Sequence, residues 1–386
     1  NEIPVMKQLH IQTYLLRLSA VIILLGQLAC GKEPAVPPDK GGDGSGTGTS
    51  VETLAGGESR ILKEATSGKT PANIIILGDG FTKEDYTDNG PFYTAAKRAM
   101  DGLFSVEPFK TYSSYFRVQT VTAYSKEQGT SFKNSSSQKN TIFSVVLEGG
   151  NSTGISGDNA EVFRYALQAQ GINNQALKNS TVIVIVNYPT YAGTTTMYSD
   201  GRAIAYVTLS QGTSQQTKFE HVVVHEAGGH GFGMLSDEYY SQNSGSITND
   251  KDALEELQQW QTYGLMQNVS LTANHSLCPW KYIFTLPQYN TEYSSVNTYE
   301  GGALFAKGVW RAEPISCMED NRPYFSAPSR FAIVKRILEI AGEEFSLQQF
   351  VSNDHDRFNT PAMLTRATAA DPSFVPLAAP VIVKVE

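Results

Sequence analysis

Apolar positions along the chain fall into short β-branched runs separated by amphipathic stretches. Residues 73–77 (NIIIL) have the length and composition of a strand covered on both faces, and the run stops at Gly78, Asp79 and Gly80. Asp79 is either a site residue or a turn former there, and turn chemistry favours the second. Thr82 follows as an N-cap with Asp85 three residues on, in the place of the Glu or Gln of a capping box, which predicts a helix start. Residues 115–121 (YFRVQTV) alternate as a second strand, and 161–170 place Val162, Tyr165, Ala166 and Ala169 on one helical side. Residues 181–186 (TVIVIV) read as another buried strand, and 202–209 as the last strand before a helix. Strands alternating with helices predict an α/β layered domain. Further on, 240–250 read as a surface loop, 252–260 and 326–342 as helices, and 279–283 as an anchored apolar segment. The tail from Pro376 carries Val381, Ile382 and Val383, which either add a strand or hang loose.

The first apolar run has a different character. From Met6 onward the chain reads as an export signal, with Lys7 and Arg17 near an apolar run at 18–29 that ends at Cys30. The string GQLACG at 26–31 resembles a bacterial lipobox, in which the Cys after a small residue is lipidated; Gln27 stands where Leu is usual, so ordinary signal-peptidase cleavage is the alternative. The run is shorter than the ~20 residues that span a membrane. Residues 32–50 turn to Pro, Gly, Ser and Thr, a composition that cannot bury enough apolar surface to order itself. The expected organisation is a signal segment at 1–30, a flexible linker at 31–60, a globular domain at 61–365 and a tail at 366–386. The expected location is that of an exported bacterial lipoprotein, periplasmic or at the cell surface, tethered to the membrane through Cys30.

Composition narrows the function classes. The 386 residues are 40% hydrophobic and 10% aromatic, ordinary for a globular protein, and the net charge of −8 argues against a nucleic-acid partner, which calls for a basic stripe. Of three cysteines, Cys30 belongs to the signal. That leaves Cys278 and Cys317 as a disulfide of an exported protein or as two free thiols. They stand too far apart in sequence for the close Cys pairs of structural zinc sites.

The chemistry concentrates at 219–239, FEHVVVHEAGGHGFGMLSDEY, which holds three of the six histidines. The common zinc-protease spacing is H-E-x-x-H, two His on one helical face with Glu as general base. Here it is H-E-A-G-G-H, one residue longer. On a regular helix at ~100° per residue, five steps carry His230 roughly 140° away from His225, whereas a π-type widening at ~4.4 residues per turn closes most of that gap. Gly228 and Gly229 sit where such a bulge forms at little cost. His221 and His225, at i and i+4, are a rival pair that needs no distortion. After His230 a helix stop at Gly233 and the turn through Ser236, Asp237 and Glu238 can carry an acidic side chain back towards a metal. Two imidazoles, a carboxylate and an open position make a catalytic zinc site, with Glu226 as the base. His275 and His355, in polar surroundings, read as surface residues.

The lengthened signature resembles that of dipeptidyl peptidase III, and the glycine three residues beyond the second His resembles the metzincin motif, where Ser236 occupies the place of the third ligand and Asp237 follows it. The whole string HEAGGHGFGMLSDEYY most resembles the M64, IgA-peptidase-like metallopeptidases, with LGDGFT at 77–82 similar to their opening strand and turn. The resemblance covers about 71–365. It implies a metzincin-like zinc peptidase domain with a mixed β-sheet, an active-site helix and a Met-turn, with Met318 beneath the zinc. It also implies that the strand at 203–208 is the edge that pairs with substrate, that Tyr324 is a candidate oxyanion donor, and that Glu238 orients the ligand or bridges to the Met-turn. The reading is a zinc metalloendopeptidase acting on extracellular proteins, host glycoproteins such as immunoglobulin A among them. Its competitors are a non-catalytic surface lipoprotein that binds host protein or glycan, and a zinc amidase acting on peptidoglycan; the retained Glu226 speaks against the first.

Overall fold

The β-branched blocks read from the sequence lie at the centre of a seven-stranded mixed sheet. The computed structural model describes residues 54–241, 243–290, 296–357 and 374–385; the signal segment, Cys30 and the linker up to 53 lie outside the described residues, as does 366–373 of the tail. In chain order the strands are β1 (Gly56–Lys63), β2 (Ala72–Asp79) and β3 (Phe116–Ala123), then a small sheet of β4 (Ser131–Phe132), β5 (Val146–Leu147) and β6 (Ile155–Ser156). β7 (Ser180–Val186), β8 (Gly193–Tyr198) and β9 (Ala203–Thr208) return to the main sheet. A second small sheet holds β10 (Val269–Ser270), β11 (Tyr299–Gly302) and β12 (Phe305–Arg311), and β13 (Val381–Val383) closes the series. The helices are α1 (Pro91–Leu103), α2 (Asn159–Ala166), α3 (Asn174–Leu177), α4 (Phe219–Val223) continued by a π segment (Val224–Phe232), α5 (Lys251–Thr262), α6 (Cys317–Asp320), α7 (Ala327–Ala341) and α8 (Leu347–Asn353).

The main sheet runs β1-β3-β2-β7-β9-β8-β13. β3, β2, β7 and β9 are mutually parallel, which requires helical crossovers and leaves both faces to be covered. The alternation within each run does this. Ile74, Ile76, Ile183, Ile185, Ala205 and Val207 face a core shared with α1, the π segment and α7. Ile75, Leu77, Val182, Val184, Ile204 and Tyr206 face the core under α2. Full burial of each Ile, Leu or Val side chain among these contributes about 1.5–3 kcal/mol.

Several boundaries differ from expectation. β1 begins at Gly56, inside the stretch assigned to the linker, and pairs antiparallel with β3. The capping box at Thr82 exists, with Asp85 Oδ2 accepting from the Thr82 amide at 2.8 Å, but it opens only a 3-10 turn at Lys83–Tyr86; the α-helix waits for Pro91. The tail adds a strand, since β13 pairs in parallel with β8. β9, expected to be the substrate-binding edge, is an interior strand hydrogen-bonded to β7 on one side and β8 on the other, so it has no free edge to offer. Cys278 and Cys317 are both buried and free, the Cys278 thiol being directed to the His275 carbonyl, so no disulfide joins them. Among the described residues no helix is long and apolar enough to cross a membrane.

Candidate metal centre

The apolar face of α4 buries Phe219, Val222 and Val223 against the sheet and brings the chain to His225 and Glu226 with both side chains inside the protein. There the helix widens. The Gly233 amide donates to the Gly228 carbonyl at 2.9 Å, an i to i−5 bond, and the whole of Val224–Phe232 is a π-helix. Glycine is required at 229 by contact: a Cβ there would lie 2.2 Å from Met318 Sδ. The segment caps at Gly233, but the reversal of the chain falls on Met234, a non-glycine residue at φ +51°.

The widening brings His225 and His230 to one side, and the reversal returns Asp237 to them. The two Nε2 atoms are 3.1 Å apart, and Asp237 Oδ1 lies 3.3 Å from His225 Nε2 and 3.2 Å from His230 Nε2. Four-coordinate metal ligands at ~2.0–2.1 Å are separated from one another by about 3.3–3.4 Å, so the three atoms stand close to the edges of a tetrahedron. This is the one such group of His, Cys, Asp or Glu among the described residues. Both Nδ1–H groups are committed to carbonyls, His225 to Cys317 at 2.9 Å and His230 to Leu235 at 2.8 Å, which leaves both Nε2 lone pairs at the centre. Both Asp237 oxygens are buried without a hydrogen-bond partner, as is Glu226 Oε1. Burial would drive His230 towards its neutral form, but Asp237 and Glu226 outweigh it and lift the imidazole to about 9. The donor set, two imidazole nitrogens and a carboxylate oxygen, fits a divalent cation with nitrogen and oxygen ligands.

Glu226 is held from the other side. Thr195 Oγ1 of β8 donates to Glu226 Oε2 at 2.6 Å, and a Cβ at position 193 would come within 2.8 Å of Glu226 Oε1, so Gly193 makes room for the carboxylate. Burial raises the Glu226 carboxyl above its ordinary range, opposed by the two imidazoles and Thr195.

Glu238 points away from the three ligand atoms. Its carboxylate accepts from Ser316 at 2.6 Å, Asn268 at 2.9 Å and Ser326 at 3.0 Å, and its amide donates to the Met318 carbonyl at 2.7 Å. It therefore bridges the ligand turn to the Met318 turn and is not the third member of the cluster. Met318 is fully buried on α6, followed by Asn321 in the left-handed conformation. His221 stands apart, partly exposed, with Nδ1 against the Gln215 carbonyl, and is not a member of the cluster. His275 and His355 are exposed, as expected. Tyr324 does not serve the cluster: its hydroxyl donates to Glu313 within the core. Asp79 is buried rather than part of an open turn, and its Oδ1 holds the Phe143 amide at 2.7 Å.

Two tyrosines that the pattern did not single out stand at the site instead. The Tyr191 and Tyr239 phenols are raised by burial and then by the charges of Glu226 and Asp237. Tyr239 belongs to the quoted string, so its neighbourhood was visible; Tyr191 and Thr195 carry no local signal.

A protein-family model described as IgA Peptidase M64 matches residues 62–281, which include the cluster, Thr195 and both tyrosines. Among curated proteins no match is found.

Proposed function

The chain belongs to the IgA peptidase M64 family, and from that premise we propose that it is a zinc-dependent endopeptidase hydrolysing peptide bonds of proteins outside the cell. Membership of the family makes it a peptidase, and so a hydrolase. The observation that carries the zinc reading is the near-tetrahedral triangle of His225 Nε2, His230 Nε2 and Asp237 Oδ1, with both imidazole tautomers fixed from behind.

When bound there, zinc supplies a Lewis acid that makes a water nucleophilic near neutral pH and polarises the scissile carbonyl. The remaining work falls to the chain. Glu226 accepts the proton of the attacking water through Oε1, the oxygen left without a partner, and delivers it to the leaving amine. Thr195 holds the other oxygen and fixes the carboxylate's orientation. Met318, packed against Gly229, forms the floor beneath the ligands and supports the metzincin-like reading of this turn. Export and tethering through Cys30 complete the proposal and place the site where extracellular proteins, immunoglobulin A among them, are the substrates.

Glu226→Gln keeps the size and the Thr195 contact but removes the base. The zinc-loaded variant is expected to lose turnover by at least ~100-fold, within the range general bases contribute, with metal content unchanged. Turnover equal to the parent's on a protein substrate would overturn the mechanism.

A further inference from the structure

We propose that Tyr191, Thr153 and Tyr239 are the side chains that hold the backbone of a peptide substrate, and that the chain's own C-terminal segment occupies them until a substrate displaces it. The proposal rests on the peptidase reading above and adds to it the means of substrate entry.

Three successive carbonyls of that segment are bound by side chains at the site. The Tyr191 hydroxyl donates to Val375 O at 3.1 Å, Thr153 Oγ1 to Pro376 O at 3.4 Å and the Tyr239 hydroxyl to Leu377 O at 2.6 Å. All three contacts are to main chain, which any peptide presents. Tyr239 stands two residues beyond Asp237, and the Thr153 carbonyl accepts from the amide of Gly193, the residue that lies against Glu226 Oε1, at 3.3 Å. Asn321 Nδ2, from the turn after Met318, fixes Tyr191 by donating to its hydroxyl at 2.8 Å. Leu377 is buried in the main core, so the segment also fills an apolar pocket with one side chain.

Beyond Leu377 the segment runs on to β13, which takes the free edge of β8. β8 is the strand that carries Thr195 and Gly193 against Glu226. An extended substrate adding to the sheet beside the cluster would need this same edge. The hold is short: β13 has three residues, Val381 is 51% exposed, and Pro376 and Pro380 have no amide to donate. Such a segment opens at the low end of the protein's local stability range.

The test uses the full chain carrying Glu226→Gln, loaded with zinc, and a labelled synthetic peptide with the sequence of residues 374–385. Val383→Pro weakens the resident strand by removing the amide of a residue that pairs with Tyr198 in the β8–β13 ladder, and it touches none of the site residues. If the segment is in place about nine-tenths of the time, its release strengthens peptide binding about tenfold, since apparent affinity scales with the competent fraction. Tyr239→Phe in the same background is expected to weaken that binding. A second variant guards against misfolding: Thr196→Cys with Val381→Cys, opposite each other in the β8–β13 register, closes a disulfide that should abolish peptide binding and release it again on reduction. Equal affinity with and without Val383→Pro, or undiminished binding in the oxidised pair, would overturn the proposal. With Glu226 restored, tighter peptide binding without turnover of any protein substrate would support the occupied cleft and sink the peptidase reading.

Discussion

In the proposed mechanism the carboxylate of Glu226 must meet two demands at once, burial and readiness to take a proton. Thr195 reconciles them by satisfying one oxygen at 2.6 Å and leaving the other free. Hydrogen bonds to charged groups are worth ~1.5–3 kcal/mol, so Thr195→Val should lower kcat/KM by about 10- to 100-fold. The loss should fall on kcat, with zinc content unchanged, in steady-state assays beside metal analysis. A loss confined to KM would mean that Thr195 contacts substrate rather than orienting the base.

At the scale of elements, the π segment is the device that makes the lengthened motif work, and it depends on residues of minimal size where Met318 enters. Gly229→Ala forces its Cβ on Met318 Sδ, and overpacking of this kind costs about 1–3 kcal/mol. Denaturant unfolding should show that loss, and zinc affinity should fall with it because the same residues set the separation of His225 and His230. Much of this element was legible in advance. The five-residue spacing excludes a regular helix, and adjacent glycines mark where the backbone can widen. The turn beyond the helix stop made an acidic ligand readable, while the preference for Asp237 over Glu238 came from the resemblance to the metzincin motif. β8 was not readable, because GTTTMY at 193–198 lacks an apolar run; its burial comes from Glu226 on one side and from residues almost two hundred positions later on the other. The choice of β9 as substrate edge failed for that reason. Tyr324 was misassigned because proximity in sequence to Met318 says nothing of Glu313, which captures its hydroxyl.

Across the whole molecule, the ligand turn is braced from below by α7. Ser326, the N-cap of that helix, and Ser329 within it contact Glu238, and its Arg330 forms a bidentate pair with Asp354 at 2.7 and 2.8 Å, both side chains buried. Burial alone would raise the Asp354 carboxyl, but the Arg330 charge outweighs it and holds it below the ordinary range. The folded state therefore keeps this carboxylate ionised where the unfolded chain protonates. The pair's contribution is complete above the unfolded value of ~3.9 and is lost as pH falls through the lower folded value. Asp354→Asn leaves Arg330 buried without its countercharge, a change that costs about 3–5 kcal/mol. The deficit should be full in denaturation at neutral pH and shrink once acid protonates the parent; a deficit independent of pH would contradict this account of the pair.

His225, His230 and Asp237 could hold a metal, and only the widened helix brings the two imidazoles together. The most direct measurement is zinc content of the full chain beside its His230→Ala variant, each dialysed against trace metal. The account predicts about one zinc per parent chain, as a single three-ligand site requires, and its loss in the variant. A parent chain that binds no zinc, or a variant that retains all of it, would contradict the account.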